Sequence, residues 1–216
     1  MRTQKEWLIR VILLMIGLTI AHFGVTLFLL AELGSDPFNV LVQGLYRTVS
    51  MLPYVTHGRV HIVVSLIIIA ILLFADRKKI KIGTVLCMIC GGPIIDLFST
   101  MLSPLNIPAM QVHVRLIILA AGCAILAFGM TIVIKSDAGT GPNDLVAIVI
   151  SEKLSRPFSI VRIIVDLCFV LTGWLLGGTF GIGTIVCAAL VGPIAGLFLP
   201  LNERTIARIL HLAGID

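Results

Sequence analysis

The sequence predicts an all-α polytopic membrane protein of six transmembrane helices, arranged as two inverted three-helix repeats, and three observations carry the prediction. The chain is apolar far beyond the soluble range: 58% of its residues are hydrophobic and 12% charged, with a mean hydropathy of +1.12, against about 25% charged in soluble domains. It also repeats itself. Ile82-Gly83-Thr84, Cys87, Gly92-Pro93-Ile94 and Leu97-Phe98 return one hundred positions later as Ile182-Gly183-Thr184, Cys187, Gly192-Pro193-Ile194 and Leu197-Phe198, nine identities in seventeen aligned positions. Gly17, Ile20, Phe23, Gly24, Thr26, Gly34 and Pro37 return 105 positions later as Gly122, Ile125, Phe128, Gly129, Thr131, Gly139 and Pro142. Finally, six apolar segments approach the roughly 20 residues a span needs: 10–31, 60–75 and 82–102 in a first repeat over 1–102, and 114–134, 160–176 and 182–200 in a second over 114–200, with 201–216 as a cytoplasmic tail.

The first span follows Arg2, Lys5 and Arg10 and so has the outline of a secretory leader, but its apolar run is about twice the length of a leader's and has no clear small-residue cleavage site. It reads as a retained span. After it comes Glu32-Leu33-Gly34-Ser35-Asp36-Pro37-Phe38-Asn39, and after the fourth span comes the equivalent Asp137-Ala138-Gly139-Thr140-Gly141-Pro142-Asn143-Asp144. Glycine permits the positive φ that ends a helix, and proline suits the first turn of the next. Each copy is therefore expected to run helix, tight break, then a shorter helix near 38–50 or 143–154. Thirteen residues reach only about 20 Å, so these short helices re-enter the membrane or lie in its interface. A break with free helix-terminal N–H groups and nearby carboxylates is where transporters build solute or ion sites, which makes Glu32, Gly34, Asp36, Pro37, Asp137, Gly139, Pro142 and Asp144 the candidate substrate-binding residues. The alternative is a capping turn at headgroup level, with Ser35 and Thr140 satisfying the free N–H groups.

Lys and Arg set the orientation, because cytoplasmic loops are enriched in them. Arg2, Lys5 and Arg10 precede the first span, Arg77, Lys78, Lys79 and Lys81 separate the second from the third, and Arg204 and Arg208 follow the sixth. The connections 103–110 and 177–181 carry no charge. Six spans place these three basic segments and both termini inside. An odd number of spans per copy inverts the second copy relative to the first, the arrangement of many secondary transporters.

Ionisable residues within spans are costly, at about 2.5–3.5 kcal/mol on insertion scales, and have a partner or a purpose. Arg59 and Arg162 open the second span of each copy. Asp166 stands four residues after Arg162 and shares its helical face, and Asp96 lies on the side of Arg59, within reach of an Arg59–Asp96 contact. These four read as gates or as static ion pairs. Pro93 and Pro193 kink their spans, which either hinges them or fits packing. His22, His57, His61 and His113 show no ligand spacing, and Cys87-x-x-Cys90 has no second pair, so both read as packing or interface residues.

Enzyme motifs are absent: there is no P-loop, G-x-S-x-G, H-E-x-x-H or dinucleotide fingerprint. An enzyme is not expected, nor a cofactor or bound metal. The net charge of +5 suits membrane topology and anionic lipid rather than nucleic acid. Phe128-Gly129-Met130-Thr131, Lys135 through Gly139, Gly141 through Leu145, Trp174 through Gly178 and Gly181-Ile182-Gly183-Thr184 resemble the YczE/YyaS/YitT family over nearly the whole chain. The resemblance implies a multi-spanning protein of the bacterial cytoplasmic membrane. The family's expected Pro-Trp-Asp is here Pro142-Asn143-Asp144 and Pro37-Phe38-Asn39, so that only Asp144 keeps the acid. The expected function is a small-solute or ion transporter or permease working by alternating access, with membrane lipid and the solute as partners. A homo-oligomer is compatible with the sequence, and a non-transporting membrane scaffold or accessory subunit is the alternative.

Overall fold

The architecture follows from where the chain can bury small residues and where it must break. In the computed structural model, which describes residues 3–50, 54–156 and 158–215, eight α-helices and no strands occur among the described residues. Arg2 and the side chain of Lys78 lie outside the described residues. The helices are α1 (Gln4–Ala31), α2 (Pro37–Val49), α3 (His57–Asp76), α4 (Ile82–Leu102), α5 (Val112–Ser136), α6 (Pro142–Leu154), α7 (Phe158–Leu175) and α8 (Ile182–Leu212). Five of them, α1, α3, α4, α5 and α8, are long and apolar enough to cross a membrane. The expected span at 160–176 falls on α7, which has 18 residues and is not among those five. The segment past residue 200 does not leave the helix as a tail: α8 continues through Pro200 to Leu212.

The two long helices α1 and α5 pack backbone to backbone at the centre. A Cβ at Gly17 would lie 2.8 Å from the Gly129 carbonyl oxygen, and one at Gly24 would lie 2.7 Å from that of Gly122. Small residues are the means by which helices approach in lipid, where no hydrophobic force drives them together. Under the offset of 105, Gly17 matches Gly122 and Gly24 matches Gly129, so the two contacts exchange with one another. The outer layer follows suit. Phe23 of α1 stacks edge-on to Phe98 of α4 at 5.0 Å, and Phe128 of α5 to Phe198 of α8 at 5.1 Å.

The breaks lock onto the same helices. Gly183 N–H at the start of α8 donates to the Leu33 carbonyl at 2.7 Å, and Gly83 N–H at the start of α4 donates to the Ala138 carbonyl at 3.0 Å. Each break is thus held by the third long helix of the other half of the chain. The left-handed residues that end α1 and α5 are Glu32 (φ 50°) and Asp137 (φ 52°) rather than the glycines. Gly34 (φ 119°) and Gly139 (φ 151°) come two residues later, where a Cβ would lie 2.6 Å from the Thr184 and Thr84 backbone nitrogens.

The short helices α2 and α6 flank α3 in one apolar cluster of Phe38, Val42, Val60, Val64, Ile68, Leu72, Leu145 and Val149. The periphery is apolar as well: Phe74 is 95% exposed and Leu197 75%. In water such a surface would aggregate, whereas in a bilayer it is solvated by acyl chains.

The α1–α5 contact makes a prediction. Gly129→Leu should destabilise the detergent-purified protein by about 3 kcal/mol or more through overpacking, because its side chain would meet the Gly17 carbonyl and the Ala21 backbone. Gly192→Ala, with nothing within 4 Å among the described residues, should be neutral or stabilising by up to about 1 kcal/mol. Thermal melting of both variants checks this.

Candidate functional site

The short helices point their N-termini into the protein from two directions. The second half of α2 is tied to the connection after α7, with Arg47 Nη1 in the last turn donating to the Gly177 carbonyl (2.7 Å) and Thr179 N–H donating to Gln43 Oε1 at mid-helix (2.8 Å). The last turn of α6 is tied to the end of α3, through Lys79–Glu152 at 2.6 Å. Their first turns lie deeper. Phe38 at the start of α2 stacks edge-on to Phe169, in mid α7, at 5.7 Å, and Asp144 at the start of α6 pairs with Arg162 of α7.

Arg162 is the centre of this arrangement. Its Nη1 donates to Asp144 Oδ1 and its Nε to Asp166 Oδ2 at 2.8 Å, so one guanidinium joins the second break to α7. All three side chains are about three-quarters buried, at 28%, 24% and 25% exposure for Arg162, Asp144 and Asp166. Asn143 Nδ2 adds a bond to Asp144 Oδ1 at 3.1 Å. The other carboxylate oxygen of Asp166, Oδ1, is buried without a hydrogen-bond partner among the described residues. Asp36 from the first break lies within electrostatic reach of Arg162 and Asp166, though it pairs with neither. Burial pushes its carboxyl above the usual carboxylate range, while bonds from the Asn39 side chain and backbone pull the other way. Two carboxylates therefore share one guanidinium, with a third acid nearby, in a partly buried region where each unbalanced charge is expensive.

The remaining site residues separate from this group. Asp36, not Ser35, caps α2, accepting from Asn39 N–H at 3.2 Å and Asn39 Nδ2 at 2.8 Å, while Gly141 stands at the N-cap of α6 with no side-chain cap. Capping by Ser35 and Thr140 is corrected accordingly: Pro37 and Pro142 take up the first helical position, which moves the cap to the residue immediately before each proline. Glu32 is exposed, and Asp137 is a surface residue that pairs with Lys81 at 2.9 Å. These two acids end helices rather than line the interior. The Arg59–Asp96 contact is not made. The Arg59 guanidinium turns outward to the Tyr54 carbonyl, and Asp96 caps α3, accepting from Thr56 Oγ1 at 2.6 Å and Gly58 N–H at 2.9 Å. A carboxylate held on a helix N-terminus is already compensated by the helix dipole. Arg59 and Asp96 line an open groove of about 520 Å³ between α3 and α4, with Ile62, Pro93 and Leu97 as its apolar wall.

From residue 8 to residue 200 the sequence matches a family of unknown function, DUF6198. The chain belongs to that family. It is 28% identical over 199 residues to the uncharacterised membrane protein YczE of Bacillus subtilis (strain 168), covering 91% of this chain and 88% of the relative. It is 28% identical over 202 residues to an uncharacterised protein of Haemophilus influenzae, covering 93% and 86%, and 26% identical over 190 residues to YyaS of Bacillus subtilis, covering 88% and 92%. No solved structure matches. Together with the apolar helices, these relatives make this DUF6198 protein a multi-pass integral membrane protein.

Sequence reasoning passed over several polar residues that the fold gathers. His57 Nε2 lies 3.2 Å from Asn39 Oδ1, extending the chain from Asp36 through Asn39 to α3. His61 is 5% exposed and Ser65 fully buried, and His22 of α1 meets His61 at 5.6 Å between rings. The signal was present in the spacing: His57, His61 and Ser65 stand at i, i+4 and i+8, one face of an otherwise apolar helix.

Removing the shared guanidinium should be costly. Arg162→Ala leaves Asp144 and Asp166 facing one another and is expected to lower stability by about 2–3 kcal/mol, below the full value for a buried pair because the site is partly exposed. Arg59→Ala should change it by no more than about 0.5 kcal/mol. Melting curves of the two variants in one detergent distinguish these outcomes.

Proposed function

We propose that this DUF6198 protein is a small-solute or ion transporter of the bacterial cytoplasmic membrane, working by alternating access between two inverted repeats. In this reading α7 joins the five long helices to make six spans, both termini are cytoplasmic, and the breaks open from opposite faces of the membrane. The basic end of the molecule agrees with that topology, since Lys5 Nζ donates to the Ala213 carbonyl and joins the two ends of the chain (2.6 Å). Solute or ion would bind between the inward-pointing starts of α2 and α6, at Asp36, Asp144, Arg162 and Asp166, where helix N-termini from two directions meet unbalanced carboxylates.

One observation carries transport over a static scaffold: equivalent faces of the two halves are held in different states. In the first half, α3 closes on α4 so tightly that a Cβ at Gly58 would overlap the Gly92 carbonyl oxygen. In the second, Gly192 and Gly196 of α8 have nothing within 4 Å among the described residues, and α7 packs on α2 and α6 instead. Two halves of like sequence in unlike conformations can exchange them, and in inverted repeats that exchange turns a site from one side of the membrane to the other.

Spin labels test this directly, with the exposed Cys168 first changed to Ser. One pair at Val63 and Met101 reports α3–α4 and another at Ile163 and Leu197 reports α7–α8, all four being exposed positions. Each pair should give two populated distances, and conditions that lengthen one should shorten the other. A single unchanging distance in both pairs would favour the scaffold. A thermal-shift screen of solutes and ions complements it: a ligand at 100 times its Kd should add about 2.7 kcal/mol of stability, an effect lost in Asp144→Asn and kept in the surface variant Asp137→Asn.

A further inference from the structure

We propose that the half-buried His22 and the buried His61 form a proton-binding site, and that the proton is the coupling ion of the transport reading above, on which this role rests. His22 Nδ1 lies 2.9 Å from the Leu18 carbonyl oxygen. A carbonyl only accepts, so Nδ1 carries the hydrogen, an assignment made from the hydrogen-bond network. In the neutral ring the lone pair is then on Nε2. That atom faces Gly91 of α4, where a Cβ would lie 2.8 Å from His22 Nε2 and 2.9 Å from His61 Cε1. The two rings thus meet against Gly91 and fill the space that a side chain there would need.

Static packing does not account for the pair. His61 Nδ1 is buried without a hydrogen-bond partner among the described residues, and one turn further along α3 so is Ser65 Oγ. Each unsatisfied buried polar group is destabilising, and an apolar side chain of similar shape would avoid it. Adjacent unsatisfied donors and acceptors in one apolar interior instead make a place for a proton or for water delivering one. From α2 come the Phe38 ring at 5.3 Å from His61 and, one turn away, Asn39 and Tyr46 against His57. From α4 comes Asp96, engaged with Thr56 and Gly58. From α6 come Leu145 and Val149, packed with Val60 and Val64.

The link to the solute site runs along one hydrogen-bonded chain. Asn39 Nδ2 donates to Asp36 Oδ2, which leaves Asn39 Oδ1 to accept, so His57 Nε2 carries a hydrogen toward it. Asp36 accepts at each of these contacts and at Ser35 Oγ (3.4 Å), as a carboxylate does. The chain ends at His57; His61 follows one turn along α3 without a hydrogen bond to it, and His22 meets His61 by ring contact. Uptake is a simple addition: a proton from water joins the Nε2 lone pair of His22, the Nδ1–H bond to Leu18 stays, and the site gains one positive charge. The second half of the protein lacks the pair, with Ala127 and Ile164 at the equivalent positions, and carries Arg162 and Asp166 on α7 instead. The proton site thus belongs to the first repeat, while the solute site takes Asp36 from the first repeat and Asp144, Arg162 and Asp166 from the second, and a site that spans both repeats is one that a change in either can bias.

The test uses the full chain in lipid nanodiscs with 15N-labelled histidine, followed by imidazole NMR between about pH 4 and pH 8. The His22 signal should pass from neutral to imidazolium. His61→Gln should displace its midpoint by about one pH unit, as expected of coupled sites, while His113→Gln, at an exposed position, leaves it unchanged. A His22 and His61 that stay neutral throughout would overturn the proposal, and this reading needs no variant to fold. The spin-label distances keep the two ideas apart. Repeats that alternate with no response across the His22 midpoint overturn proton coupling alone, whereas titrating histidines beside immobile repeats support the site and sink the transport reading.

Discussion

A hydrocarbon interior offers no hydrogen bonds, so a chain that stops being helical inside it must find partners for its backbone within the protein. Two helix ends packed against other helices meet the same demand within the protein, and the rest of this structure depends on how they do. The Leu33 and Ala138 carbonyls, left free where α1 and α5 end, accept from the first amides of α8 and α4. The same bonds use up donors that those helices would otherwise leave unsatisfied. Each break therefore supports the opposite half of the chain, and neither half is complete alone. The glycines at 34 and 139 allow this approach, because the opposing backbone occupies the space a side chain would need.

Once the breaks are held, charge can be placed between the helices. The short helices begin there and bring Asp36 and Asp144 toward α7, where Arg162 pairs with Asp144 and Asp166. A guanidinium suits the position because it stays charged and presents several donors in a fixed plane, so that two carboxylates can be served at once. Asp166 retains a buried oxygen with no hydrogen-bond partner among the described residues. A cluster in this condition is sensitive to any added positive charge. The histidines on α1 and α3 lie one polar chain away, which is why protonation and solute binding are read here as one coupled system.

Parts of this were legible in the residues. The i, i+4 spacing of Arg162 and Asp166 placed them on one helical face, and they pair at 2.8 Å. The alignment of Glu32 with Asp137 marked the breaks, and both residues end their helices in the left-handed conformation. Their assignment to the candidate binding site is another matter, since acids beside a break look alike in sequence whether they point inward, as Asp144 does, or toward a surface lysine, as Asp137 does. Arg59 and Asp96 were close in expected height, but helix capping claimed the carboxylate first. His61 looked unremarkable because its only signal, a polar face four residues in period, is weak until α1 brings His22 against it.

By itself the sequence determined the solvent, the helical class, the duplication and the position of each break, because these rest on composition, on identity between distant segments and on local backbone preferences. The tertiary structure alone decided which carboxylates meet Arg162, which glycines are covered and which are bare, and which histidines touch. Those depend on the approach of helices far apart in the chain, and in a membrane that approach is set by backbone contact at small residues, such as Gly17 against Gly129, rather than by any hydrophobic pattern. Two copies of one pattern can thus pack differently: α3 lies against Gly92, while nothing among the described residues lies against Gly192.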